Sequence, residues 1–216
     1  MGDGARRRRT ALSAIGIMTA ALALSACGAP PWATGGGAAP VETATAAPTT
    51  APAPKPVPND LSSGSTQRPL QAGAVNATVD YWSKLSMDRW TATALKPVSM
   101  SMVTTVTPND GQKVYLQRAT MTAVPGNADQ SFAPLDPQID ESSVAPGYLV
   151  LDPYSYSQTF TIGEVPPGAT FVTLQFTYDF LVQTTPTSSE FAKQTASDSI
   201  TVAISGGGEP EPSASS

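Results

Sequence analysis

The chain holds 216 residues, with 12 basic and 17 acidic side chains, a single cysteine and no histidine. The absence of histidine rules out a His-centred triad, an imidazole base and an imidazole metal ligand, and one cysteine cannot close an internal disulfide. Set aside Asp3 and the run Arg6-Arg7-Arg8-Arg9, and the remainder carries eight basic against sixteen acidic groups, a net charge of −8. Such a balance repels phosphate backbones, so nucleic acid is not an expected partner.

The first predicted element, in residues 1–26, has the three regions of a secretory signal peptide. Residues 1–9 are basic, residues 11–24 are apolar, and small side chains follow up to Cys27. The apolar stretch would span about 21 Å as a helix, against a hydrocarbon core of about 30 Å, which is too short for a permanent anchor. With Leu24-Ser25-Ala26-Cys27 at its end, the segment resembles the export signal and lipobox of a bacterial lipoprotein. The resemblance implies that a signal peptidase recognises Leu24, Ser25 and Ala26 and cleaves before Cys27. It also implies a diacylglycerol on the Cys27 thiol, with palmitate-type chains holding the mature protein at the extracytoplasmic face of the cell membrane. One acyl chain binds a bilayer reversibly, whereas two or more anchor it stably. Arg8-Arg9 also has a twin-arginine element, which leaves the export route open.

Residues 27–67 are Ala, Thr, Pro, Gly and Ser with hardly a large apolar side chain. Eight prolines between Pro30 and Pro58 interrupt helices and ladders. Such a segment cannot bury enough surface to offset its chain entropy and is expected to be a disordered tether with a reach on the order of 100 Å at full stretch. Its Thr-Pro content permits O-glycosylation. A similar tail is expected over residues 206–216.

Residues 68–205 read as one folded unit of ordinary domain size. The apolar period there is two. Residues 75–82 open the series of strands. In residues 98–106, Val98, Met100, Met102, Thr104 and Val106 alternate with mostly polar neighbours, and Pro108-Asn109-Asp110-Gly111 then turns the chain into a strand from Lys113. The pair reads as a hairpin. In its second strand Val114 and Leu116 are out of phase with Ala119, Met121 and Ala123, so a bulge is expected near Gln117-Arg118. Strands are further expected over residues 148–151, 157–162 and 171–180, where Val172, Leu174, Phe176, Tyr178 and Phe180 share one face. Residues 188–195 read as a short turn, and residues 200–204 as the last strand. The expectation is an all-β fold, a single immunoglobulin-like antiparallel sandwich of about seven strands, without the Cys-Trp-Cys core of antibody domains.

Catalytic motifs are sparse. No serine stands three residues before any lysine of the folded unit, and there is no Gly-x-Ser-x-Gly elbow and no phosphate-binding Gly-rich loop. Asp129, Asp136, Asp140 and Glu141 form an acidic stretch of the kind that can feed oxygen to calcium, but they match no calcium loop and read as a solvated connection. Met87, Met100, Met102 and Met121 offer thioethers of the kind that bind Cu(I), but their placement among valines reads as core. No metal and no cofactor is expected. Trp82, Trp90, Tyr154 and Tyr156, with Tyr81, are candidates for stacking on sugar rings, against the alternative of core burial.

The function expected is that of a non-catalytic binding or accessory module on a lipid anchor. Its partners would be the membrane, through the acyl chains on Cys27, and a cell-wall polymer or another envelope protein. The alternative is a cell-wall polysaccharide hydrolase or transferase using carboxylates. That alternative calls for two acidic groups converging in a cleft around Asp136, Asp140 or Asp152.

Overall fold

The computed structural model describes residues 56–206; the lipobox, the tether up to residue 55 and residues 207–216 of the tail lie outside the described residues. Nine strands run through the described part: β1 Ser65–Ala72, β2 Val75–Trp82, β3 Lys96–Val106, β4 Val114–Gly126, β5 Gln138–Glu141, β6 Tyr148–Leu149, β7 Tyr156–Ile162, β8 Phe171–Gln183 and β9 Phe191–Ala203. A 3-10 turn, Met87–Arg89, precedes β3, and no helix among the described residues is long and apolar enough to cross a membrane.

Two antiparallel sheets pack face to face as a β-sandwich. Sheet A has the order β1-β2-β3-β7, and sheet B has β5-β4-β8-β9 with β6 pairing on β4. With β1 set aside, β2-β3-β7 facing β5-β4-β8-β9 is the immunoglobulin-like order A-B-E against C′-C-F-G. The alternation expected in residues 171–180 holds: Val172, Leu174, Phe176, Tyr178 and Phe180 are all buried. Val98, Met100, Met102, Thr104 and Val106 face them from β3, so the methionines fill the core. The register between β4 and β8 shifts between Leu116 and Arg118, which is the expected bulge. Val114 and Leu116 before it, and Ala119, Met121 and Ala123 after it, thereby face inward together. Phenols cross the core: the Tyr81 and Tyr178 hydroxyls share a hydrogen bond at 2.9 Å, and the Tyr178 hydroxyl lies 3.3 Å from the Met100 sulfur. Burial raises the pKa of both phenols, and the neighbouring Asp198 carboxylate adds to it, so both remain protonated.

Several expectations are corrected. The pair β3 and β4 is no hairpin, because the chain crosses from sheet A to sheet B between them. β9 starts at Phe191, inside the segment expected to be a turn, and β5 occupies part of the acidic stretch. The folded unit also starts earlier than residue 68. β1 begins at Ser65, and ahead of it Leu61 is fully buried. Asp60 donates its N–H to the Thr201 carbonyl at 2.8 Å, accepts the Thr201 N–H at 2.7 Å and pairs with Arg68 at 3.0 Å, which caps part of the free edge of β9. On the opposite side the Gln138 amide donates to the Thr161 carbonyl and accepts the Thr161 N–H, bridging β5 to the edge of β7. A chain begun at Ser65 is therefore expected to be about 2–3 kcal/mol less stable than one begun at Asn59, the cost of exposing the Leu61 pocket and releasing Arg68. Urea denaturation of the two truncations checks this; equal midpoints would show that the 59–61 segment is only a passenger.

The additional strand β1 decides where the chain enters. Lys96 lies opposite Ile162, Gly126 opposite Phe171 and Phe171 opposite Ala203, and the Ser205 N–H donates to the Trp90 carbonyl, so these ends of the two sheets form one pole. The other pole carries the turn 73–74 and the loops 107–113 and 184–190, tied by Thr107 N–H to the Ala74 carbonyl and Ala74 N–H to the Gln194 side chain. A chain entering directly at Val75 would arrive at this second pole. β1 runs the length of sheet A antiparallel to β2, so Asp60 and Ser205 both stand at the first pole. The interior Pro69 fits an edge strand, where no ladder donor is lost.

On the outer face of sheet B, Asp179 accepts the Thr195 hydroxyl at 2.7 Å and pairs with Lys193 at 3.0 Å. Burial pushes its pKa upward, but Thr195, Lys193 and the nearby Arg118 outweigh this, and the net shift is downward. A carboxyl whose folded pKa is depressed contributes stability above its unfolded pKa of about 3.9 and loses it as pH falls through the folded value. Asp179→Asn is expected to cost about 1 kcal/mol at pH 7, with the difference from the unaltered protein closing as pH falls through the depressed Asp179 pKa. Thermal melts across that range measure it, and a pH-independent gap would contradict the ionic origin.

Candidate functional site

The structure separates the four aromatic candidates. Trp90 is fully buried at the first pole, where the 3-10 turn before it aims the indole into the core. Tyr156 is 6 % exposed, because it shares the inward phase of β7 with Phe160 and Ile162. Its hydroxyl donates to Asp140 at 2.7 Å, and its ring lies 5.4 Å from Tyr148. Burial and Asp140 raise its pKa. Neither Trp90 nor Tyr156 can stack on a ligand, so both expectations are corrected. Tyr154 is 56 % exposed, but it follows Leu151, whose bridge to Thr104 sets it toward the second pole. Trp82 ends β2 at the first pole and is half-buried. Trp82 and Tyr154 therefore do not form one platform. Cys27, Leu24, Ser25 and Ala26 lie outside the described residues.

Trp82 is the aromatic placed for contact. The inward phase of β2 takes Val75, Ala77, Val79 and Tyr81, which leaves Asn76, Thr78, Asp80 and Trp82 on the outer face of sheet A. Trp82 lies opposite Ser99 and Ser99 opposite Thr159, so indole and hydroxyls form one row across three strands. The next row is Gln67, Asp80, Ser101 and Ser157, in which the Gln67 amide donates to Asp80 at 2.8 Å. Around the first row lies an open groove of about 250 Å³ lined by Trp82, Lys84, Ser99, Met100, Ser157, Gln158 and Thr159.

Local bonds fix this groove. The Ser83 hydroxyl donates to the Pro97 carbonyl at 2.6 Å and accepts the Leu85 N–H at 3.1 Å, which pins the turn that carries Lys84. Lys84 is exposed and has no ion pair among the described residues. The hydroxyls of Ser99 and Thr159 are 2.8 Å apart; one proton serves that bond and the other is free to point outward. The Gln158 side chain, opposite buried Met100 and so in the inward phase of β7, bends back so that its carbonyl oxygen accepts the Thr159 N–H at 2.7 Å. The arrangement offers a flat apolar surface, an ammonium and several neutral donors on a rigid sheet. It can hold a ligand; it brings no nucleophile and base together.

The acidic candidates are dispersed. Asp140 is bound to Tyr156, and Glu141 pairs with Arg118 at 3.0 Å. Asp129 and Asp136 are exposed in the connection between β4 and β5, whereas Asp152 donates its N–H to Thr104 near the second pole. Among the described residues no three His, Cys, Asp or Glu side chains gather where a metal ion could be held. No family model, no curated protein and no solved structure matches the chain.

Proposed function

We propose that the protein is an exported lipoprotein, anchored by acyl chains on Cys27, which presents a non-catalytic binding module to the cell-wall space. The observation that carries this reading is the course of β1. It brings the N-terminal end of the described domain to the pole from which the C-terminal end also leaves. A domain held by one pole keeps both sheet faces and the opposite loops clear of its attachment. The Trp82 groove lies on one of those faces. The carboxylates of the hydrolase alternative are spread over separate parts of the sandwich, which favours the binding reading.

Two experiments test it. Cys27→Ser is expected to leave the protein unprocessed, or released from the membrane; a variant that stays membrane-bound with its signal removed contradicts the lipid anchor. The mature protein is expected to be retained on purified cell-wall material without shortening the polymer. Release of soluble fragments would establish the hydrolase instead, and no retention at all would contradict a wall-binding role.

A further inference from the structure

Resting on the binding-module reading, we propose that the groove beside Trp82 is a subsite for one saccharide ring carrying an acidic substituent. Its one apolar side chain with exposed surface is the Trp82 indole, since Met100 in the lining is fully buried, and the rest of the lining is polar: Ser99, Thr159, Ser157, Gln158 and Lys84. A peptide side chain seeking an apolar pocket finds no second hydrophobic wall there. A pyranose presents what the groove complements, a ring face of C–H groups with hydroxyls around its rim. The ring face packs on the indole. The free proton of the Ser99–Thr159 pair meets a rim oxygen.

Lys84 adds the selectivity. It is held at the mouth of the groove by the Ser83 bonds to Pro97 and Leu85 and has no ion pair among the described residues. The nearest carboxylate on the outer face of β2, Asp80, is already engaged by Gln67. The one ammonium lining this groove favours one carboxylate or phosphate on a ring over a densely charged polyanion, which the net charge of −8, from eight basic against sixteen acidic groups, repels. The groove lies on sheet A, with its row running from Trp82 through Ser99 to Thr159, so a longer glycan would extend across the strands over small side chains.

The test uses the full mature protein in detergent, titrated with trigalacturonate as the acidic saccharide and chitotriose as the neutral one. Binding is read by saturation-transfer NMR and tryptophan emission. Trigalacturonate is expected to bind about fivefold more tightly than chitotriose at low salt, with the ratio shrinking as salt is added. Trp82→Ala is expected to weaken both by at least about tenfold, while Trp82→Tyr keeps most of the affinity. Lys84→Gln is expected to remove the preference for the acidic sugar and leave the neutral one unchanged, and Tyr154→Ala is expected to change neither.

Equal binding by Trp82→Ala and the unaltered protein overturns the subsite, as does tighter binding of a mononucleotide such as UMP. Equal affinities for the two sugars in the unaltered protein overturn the role of Lys84. Failure here is separable from failure of the wider reading. If Trp82→Ala is still retained on whole cell-wall material, the module binds elsewhere; if the unaltered protein is not retained, the wall-binding reading itself falls.

Discussion

Lys96→Met is expected to lower the unfolding free energy by about 3–5 kcal/mol, because it leaves the Ala94 and Gly163 carbonyls without a partner among the described residues where the side chain itself still fits. Lys96 opens β3 and is fully buried. Its three N–H groups face four carbonyls, Ala94 at 2.6 Å, Gly163 at 2.7 Å and Thr91 at 3.1 Å, with Ala92 at 3.4 Å sharing one of them. Burial lowers the lysine's pKa and the Glu164 carboxylate pushes it back. The four carbonyl oxygens hold the charged form, standing where water would otherwise be. The lysine thereby ties the loop before β3 to the loop after β7 and closes the pole from which both chain ends leave. Methionine keeps the length of the stem and removes every one of these bonds, so the loss measures the bonds rather than a cavity. Domains of this size are stable by about 5–15 kcal/mol, so the variant would sit near the edge of folding. Urea midpoints check the magnitude, and faster amide exchange in residues 91–95 and 163–165 checks the place. An unchanged midpoint would mean that solvent replaces the ammonium at no cost.

Trp90→Ala is expected to cost a similar amount, about 3–5 kcal/mol, through the cavity left by a fully buried indole. The backbone of Trp90 is also engaged, since its carbonyl accepts the Ser205 N–H and its N–H donates to the Met87 carbonyl. The indole Nε1 has no hydrogen-bond partner among the described residues. Trp90→Phe therefore removes a donor that was already unpaid for and is expected to cost only about 1–2 kcal/mol. The contrast with Trp82 is the informative part. Trp82→Ala, on the outer face, is expected to change stability by no more than about 1 kcal/mol. A large loss for Trp82→Ala, or a small one for Trp90→Ala, would reverse the assignment of one tryptophan to the core and the other to the groove.

The two tryptophans also mark how far the sequence could be read. Where a strand is long and half-buried, alternation declares both faces, as in β8, and a phase break declares a bulge, as at Leu116 and Arg118. The same rule already contained the burial of Tyr156, two residues per step from Phe160 and Ile162, and the outward position of Trp82 beside buried Tyr81. Trp90 sits in a connection with no period, so nothing local tells that its turn aims inward. The edge strands were illegible for a different reason. β1 and β9 each have one lateral neighbour and bury few side chains, and Pro69 in β1 or Lys193-Gln194-Thr195 in β9 look like loop. The turn 108–111 shows that the chain reverses but not that it changes sheets, which depends on contacts far away in sequence. Lys84, Ser99 and Thr159 join Trp82 only through the register of three strands.

The central claim, that the outer face of sheet A is the ligand surface of a tethered module, is tested most directly by amide NMR of the mature chain titrated with solubilised cell-wall glycan. The account predicts shift changes that cluster at Trp82, Lys84, Ser99 and Thr159 and vanish in Trp82→Ala. Changes confined to the loops 107–113 and 184–190, or no changes at saturating glycan, would contradict it.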